Sequence, residues 1–162
     1  MQAFDVYVRP LLEFSSQVWS PHHKYLIDKV ESVQRFLLNV SQDFEGYLIV
    51  RARLNILGSQ TLESRRLIND LTLCYKTLYG LCDTSLSINF NLSNSVTRGS
   101  CLKLVKPNCS SDIRKYFFTS RVNIDVWNCL NDDIVKSRSI SVFKKRLSGV
   151  KFDRFLTVGL TD

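Results

Sequence analysis

Between Arg114 and Trp127 the chain reads RKYFFTSRVNIDVW, and FKKRL follows at Phe143–Leu147, so cations alternate with large aromatics. Arg114, Lys115, Arg121, Lys144, Lys145 and Arg146 offer charge to phosphates, and Tyr116, Phe117, Phe118 and Trp127 offer flat apolar surface. Aromatics in an apolar pattern belong first to a core. Base stacking on Tyr116 or Phe118 is the alternative.

Metal and thiol chemistry find little support. The two histidines, His22 and His23, are neighbours after Ser20-Pro21, where they open a helix rather than grip one ion from one helical face. The cysteines Cys74, Cys82, Cys101, Cys109 and Cys129 are odd in number and form no C-x-x-C. They read as buried or idle thiols of a reducing compartment, and no metal site is expected.

Charge is placed unevenly. Residues 1–60 hold six Lys/Arg against six Asp/Glu, residues 61–100 four against three, and residues 101–162 twelve against six. All but one of the excess of seven positive charges therefore lies in the last stretch. A balanced body with a basic end predicts a footprint for a polyanion, most simply nucleic acid. A solvated basic face is the competing reading. Hydrophobic content of 44% with 23% charged residues fits a folded chain. No run of about 18 apolar residues exists to span a membrane, and the opening residues do not read as a signal peptide.

Several segments in order carry a resemblance. They are YVRPLLEFSSQVWSP (Tyr7–Pro21), VESVQRFLL (Val30–Leu38), LGSQTLESRRLINDLTLCYKTLYG (Leu57–Gly80), and then RGSCLKLVKP (Arg98–Pro107), RKYFFTSRVNIDVWNCL (Arg114–Leu130) and SVFKKRL (Ser141–Leu147). Together the chain from Tyr7 to Gly149 resembles reverse transcriptases of non-LTR retrotransposons, the jockey-like LINE group, downstream of their polymerase centre. Members of that family hold two magnesium ions on three aspartates, one on an upstream strand and two in an aromatic-x-Asp-Asp turn. Here Asp132-Asp133 is the one lookalike, with no aromatic before it and no third aspartate upstream, so it reads as the opening of a helix. The resemblance thus implies a catalytically incomplete fragment with no catalytic residue and no cofactor of its own. Its expected partners are RNA or an RNA–DNA duplex and the missing polymerase core. It implies an intracellular setting, nucleus or cytoplasm, as a retroelement ribonucleoprotein. Self-association is expected through faces that the absent core would cover. A non-enzymatic protein-interaction module is the alternative.

The elements that must position these residues are mostly helical. Phe4, Val8, Leu11, Ser15 and Val18 follow a helical repeat, with Pro10 early in the helix or kinking it. Leu26, Val30, Val33 and Leu37, with Ile27 and Leu38 beside them, draw an apolar stripe over Lys24–Val40. Gln42–Gly46 reads as a loop, and Tyr47–Leu57, carrying Arg51 and Arg53, as a shorter helix ended by Gly58. Thr61 caps the longest helix, which runs to Gly80 with Leu67, Leu71, Cys74 and Leu78 inward. Arg65 and Arg66 near its start pair locally with Glu63 or Asp70, or else meet phosphate.

Asp83–Gly99 is Ser/Asn-rich and reads as loop. Cys101–Lys106 and Lys115–Thr119 alternate and are expected to form a β-hairpin, followed by a helix over Ser120–Leu130. Ser139 caps a last helix with Ile140, Phe143 and Leu147 inward. The fold class is therefore mainly α (α+β): a helical, thumb-like part over 2–80, a loop over 81–99, a basic hairpin-plus-helix part over 100–149, and a frayed tail over 150–162. The candidate phosphate contacts are Lys103, Lys106, Arg114, Lys115, Arg121, Lys144, Lys145 and Arg146, with Arg65 and Arg66 as a second tier.

Overall fold

Helical spacing and end signals agree best over Lys24–Val40 and Leu62–Leu78, and these are the two long helices of the computed structural model. It describes residues 3–40, 54, 58–82, 90–93, 102–106, 108–121 and 124–157. In order come a π-helical turn Phe4–Val8, α1 (Arg9–Glu13), α2 (Ser16–Trp19), α3 (Lys24–Val40), α4 (Leu62–Leu78), β1 (Asn91–Leu92) and β2 (Leu104–Val105). Short helices α5 (Asp112–Lys115), α6 (Phe118–Arg121), α7 (Ile124–Trp127) and α8 (Asp132–Val135) follow, then α9 (Ile140–Leu147) and a 3-10 turn at Asp153–Phe155. The architecture is mainly helical with a small antiparallel sheet, the class expected from the sequence. The expected helix over Tyr47–Leu57 and the loop over Gln42–Gly46 lie outside the described residues, apart from Leu54, which is buried.

Two compact units divide the chain: Met1–Arg66 with Phe152–Asp162, and Leu67–Lys151. The division falls inside α4, whose first turn belongs to the first unit, and most of the expected Ser/Asn-rich loop lies outside the described residues.

In the first unit, the repeat expected from Phe4 to Val18 is not one helix. Pro10 has no N–H to donate and its ring crowds the preceding turn. The ladder widens there, with the Arg9 N–H reaching back to the Phe4 carbonyl. Phe14 then closes α1, and Ser15 takes the left-handed conformation (φ 50°) that separates α2.

α3 departs from its apolar stripe in an informative way. Its buried positions are Ile27, Glu31 and Gln34, at i, i+4 and i+7, while Leu26, Val30, Val33 and Leu37 are only half-buried. The two polar residues serve the start of α4. The Glu31 carboxylate accepts the Leu62 and Glu63 N–H groups (3.3 and 2.6 Å), and Gln34 Nε2 donates to the Gln60 carbonyl (3.1 Å). Thr61 Oγ1, as expected of a cap, accepts from Ser64 N–H (3.2 Å). The first three donors of α4, which no carbonyl within the helix can satisfy, are thereby met.

The tail is not frayed where it is described. Phe152 and Leu156 are buried, and Thr157 N–H donates to both carboxylate oxygens of Glu63 (2.9 and 3.0 Å). Two aromatic or aliphatic anchors around a helical turn were too few to read as a pattern.

The second unit is built on an aromatic stack. The Tyr75 ring lies 4.5 Å from Tyr79 and 4.4 Å from Phe143, and Trp127 is 6.1 Å from Phe143. Tyr79 and Tyr75 hydroxyls donate to the Val135 and Ser137 carbonyls, so the stack also closes the end of α8. α4 stops in a Schellman turn: Gly80 has φ 63°, Leu81 N–H reaches the Lys76 carbonyl (2.8 Å) and Gly80 N–H the Thr77 carbonyl (3.2 Å).

The expected hairpin is corrected. β2 pairs with Asn91–Leu92, in register Asn91 with Val105 and Leu92 with Leu104, and not with Lys115–Thr119. Ser111 Oγ accepts from Arg114 N–H and starts α5, while Phe118, Thr119 and Ser120 are buried in succession, which an alternating strand cannot do. Asn128 extends the sheet edge with its side chain, its amide donating to the Leu104 carbonyl and accepting the Leu104 N–H (both 3.0 Å). Trp127 Nε1 donates to the Leu102 carbonyl (2.9 Å) beside it. Of the helix expected over Ser120–Leu130, α6 is described to Arg121 and α7 from Ile124 to Trp127, and Val122 and Asn123 lie outside the described residues.

Candidate nucleic-acid interface

The candidate cations fall into distinct environments. Lys144 and Lys145 are exposed in the last turn of α9, where the helix dipole favours positive charge. Ser139 caps that helix as expected, its Oγ accepting from Val142 N–H, and Phe143 and Leu147 are fully buried beneath it. Arg146 shares the turn but is committed to the fold: its guanidinium donates to the Asp133 carbonyl and to Ser137 Oγ (3.3 Å). It thus tethers the end of α8 to α9.

Arg114 and Lys115 are exposed on α5, and Lys115 Nζ stands 5.3 Å from the Tyr116 ring centroid. Lys103 and Lys106 flank β2, the first half-buried and the second exposed. Arg121 ends α6, and its side chain lies outside the described residues. Arg138 and Lys151 are also exposed in this unit. Reading the sequence missed both because each sits outside a helix, where no periodicity singles it out.

The second-tier arginines occupy different ground. Arg65 donates to both oxygens of Glu13, through Nε to Oε1 and through Nη2 to Oε2 (3.1 Å). Arg66 is 2% exposed and its Nη2 lies 3.9 Å from Glu31 Oε1. Each meets a carboxylate from an earlier helix. Arg9 joins the same network through Asp5 (2.6 Å) and Glu13 (4.0 Å). The first unit therefore spends these guanidinium groups on internal carboxylates.

Burial pushes the Glu31 carboxyl above its ordinary range, partly offset by the Glu63 N–H bond, the Arg66 charge and the Leu62 N–H bond. Its role is structural: it holds two helices together at a charged joint.

Among the aromatics, Phe118 and Trp127 are buried, Tyr116 is half-buried and Phe117 is half-exposed. Base stacking on Phe118 is therefore ruled out by its place in the core, where its ring meets Phe90 edge-on at 5.8 Å. Phe117, its neighbour, is the ring that faces water.

Asp132 and Asp133 open α8, as expected. The Asp132 carboxylate meets Lys136 Nζ at 2.7 Å, and among the described residues no group of three His, Cys, Asp or Glu side chains converges to hold a metal. This pair does not fit a two-magnesium centre. Burial pushes the Cys74 thiol well above its usual range, which keeps it protonated. Among the described residues no helix is long and apolar enough to cross a membrane. Set against models of protein families, curated proteins and solved structures, the chain matches none.

Proposed function

We propose that this chain is a nucleic-acid-binding module with no polymerase centre of its own, similar to the region downstream of that centre in LINE-type reverse transcriptases. Its second unit holds RNA or a template–primer duplex by the phosphate backbone. The observation that carries the reading is the contrast between the two units. Arg9, Arg65 and Arg66 of the first are matched to carboxylates, with Lys24, Lys29 and Arg154 exposed, while Lys106, Arg114, Lys115, Arg138, Lys144, Lys145 and Lys151 of the second are presented to solvent. Phosphate contact of this kind is weak and indifferent to sequence.

Binding of a labelled RNA across a salt series tests it. The dissociation constant is expected at about 10⁻⁴ to 10⁻⁶ M at physiological salt. Replacing Lys144 and Lys145 by Gln should weaken binding to all sequences alike and flatten the log–log salt slope by roughly 1.4 to 1.8 units. Lys24→Gln with Lys29→Gln, exposed on α3 of the first unit, should change little. Salt-independent binding, or equal losses from both pairs, would refute the reading.

A second reading rests on a separate observation. Tyr7, Leu11, Phe14 and Val18 are 73–83% exposed, large apolar side chains gathered in one segment of the sort that marks a protein contact. If it is the main functional surface, the chain self-associates in sedimentation at rising concentration, and Leu11→Glu returns it to monomer. A wild-type monomer at high concentration removes this reading.

A further inference from the structure

We infer that the exposed pair Ile113 and Phe117, flanking Arg114 and Lys115, is a stacking platform for an unpaired base, so that the preferred ligand of the second unit is single-stranded nucleic acid. This rests on the nucleic-acid reading above and narrows it.

The backbone holds the platform firmly. Ser111 caps α5, Lys115 and Tyr116 N–H groups donate to the Ser111 and Asp112 carbonyls (3.0 and 3.1 Å), and Phe117 N–H donates to the Arg114 carbonyl (3.3 Å). The Phe117 carbonyl in turn accepts from Ser120 N–H (3.0 Å) as α6 begins. Phe117 thus sits at a hydrogen-bonded joint. The next three residues, Phe118, Thr119 and Ser120, are buried and anchor the joint, leaving Phe117 50% and Ile113 87% exposed.

One exposed apolar side chain needs no explanation. Two of them four residues apart in sequence, on either side of two solvent-facing cations, put exposed apolar and cationic side chains in one short segment. That combination suits a single strand, whose bases have open faces and whose phosphates seek charge. In a continuous duplex both faces of each base are already covered. A lipid surface is the weaker occupant, because the patch has only two apolar side chains and Asp112 stands in the same turn, whereas interfacial anchoring needs a long apolar face.

The full chain is titrated into a labelled single-stranded RNA and a long paired RNA at matched salt. The wild type should bind the single strand more tightly. Phe117→Ala should weaken single-strand binding by roughly five- to hundredfold, as for truncation of a stacking aromatic, with duplex binding and salt slope unchanged. Phe117→Trp should restore it. Thermal unfolding of each variant shows that the fold is intact.

Equal loss on both nucleic acids, or no loss, overturns the platform while leaving the phosphate reading standing. If wild type binds neither RNA, both readings fall. Tighter binding to phosphatidylserine vesicles, with the Phe117→Ala loss confined to them, overturns the platform in favour of a membrane surface.

Discussion

Glu31→Ala should destabilise the first unit by about 3–5 kcal/mol, the range for breaking one side of a buried ion pair. Glu31 and Arg66 are 3% and 2% exposed, so removing the carboxylate takes a counter-charge from within 3.9 Å of a buried guanidinium. It also leaves the Leu62 and Glu63 N–H groups without their acceptor at the positive end of α4. Replacing both partners by apolar residues, Glu31→Leu with Arg66→Met, should recover part of the stability, because no charge is then left alone.

Each unit contains one tryptophan, Trp19 in the first and Trp127 in the second. Denaturant titrations with either one replaced by Phe report each unit separately. A Glu31→Ala transition indistinguishable from wild type at Trp19 would show that the charged joint is dispensable.

The same residue sets a pH dependence of unusual sign. Because burial raises its folded-state pKa, the folded chain holds the Glu31 proton more tightly than the unfolded chain. The contribution of this group is therefore greatest below the ordinary glutamate value of about 4.3. It declines as pH rises through the window between the unfolded and folded values, and is flat above. A salt-bridged carboxylate with a depressed pKa behaves in the opposite way. Subtracting the Glu31→Ala profile from wild type isolates this slope.

Phe143→Ala should cost the second unit about 3–5 kcal/mol, as for truncating a fully buried aromatic. The ring is 0% exposed, stacks on Tyr75 and neighbours Trp127, so the vacated space opens at the centre of the aromatic stack. Trp127 fluorescence is the direct readout. Val142→Ala on the same helix, half-exposed at 39%, should cost far less. Comparable losses from both would mean that α9 contributes by helix propensity and not by its buried face.

What the sequence revealed, and what it hid, follows from the range of each force. Signals confined to a few residues were legible: Thr61 and Ser139 as caps, Gly80 as a stop, and the two long helices with their apolar spacing. Forces between distant segments were not. Nothing local to Glu31 says that its carboxylate caps a helix 31 residues away, and an apolar stripe that includes the buried Ile27 cannot show that polar Glu31 and Gln34 are buried with it. The strand partner of Leu104 came from a stretch whose Ser/Asn composition read as loop, because two residues are too few to alternate.

For the candidate interface, Lys144, Lys145, Arg114 and Lys115 were legible as exposed cations. The commitments of Arg65, Arg66 and Arg146 were not, because each depends on an oxygen that tertiary folding brings near. Which of two adjacent phenylalanines faces water turned on whether the segment was strand or helix.

The bond from Thr157 to Glu63 bears on the order in which the chain folds during synthesis. Its partners are 94 residues apart, and the first unit draws on both ends of the sequence with the second unit inserted between them. Closing so long a loop of unfolded chain is slow as well as entropically costly. A second unit already folded would replace most of that loop with a compact body. On the ribosome, residues 67–151 emerge before Phe152, Leu156 and Thr157, so the second unit has all of its sequence first while the first unit still waits for residues beyond Lys151. Until then Glu63 lacks the Thr157 N–H and the first unit lacks its buried Phe152 and Leu156, a vulnerable interval for a unit whose residues 1–66 have already been made.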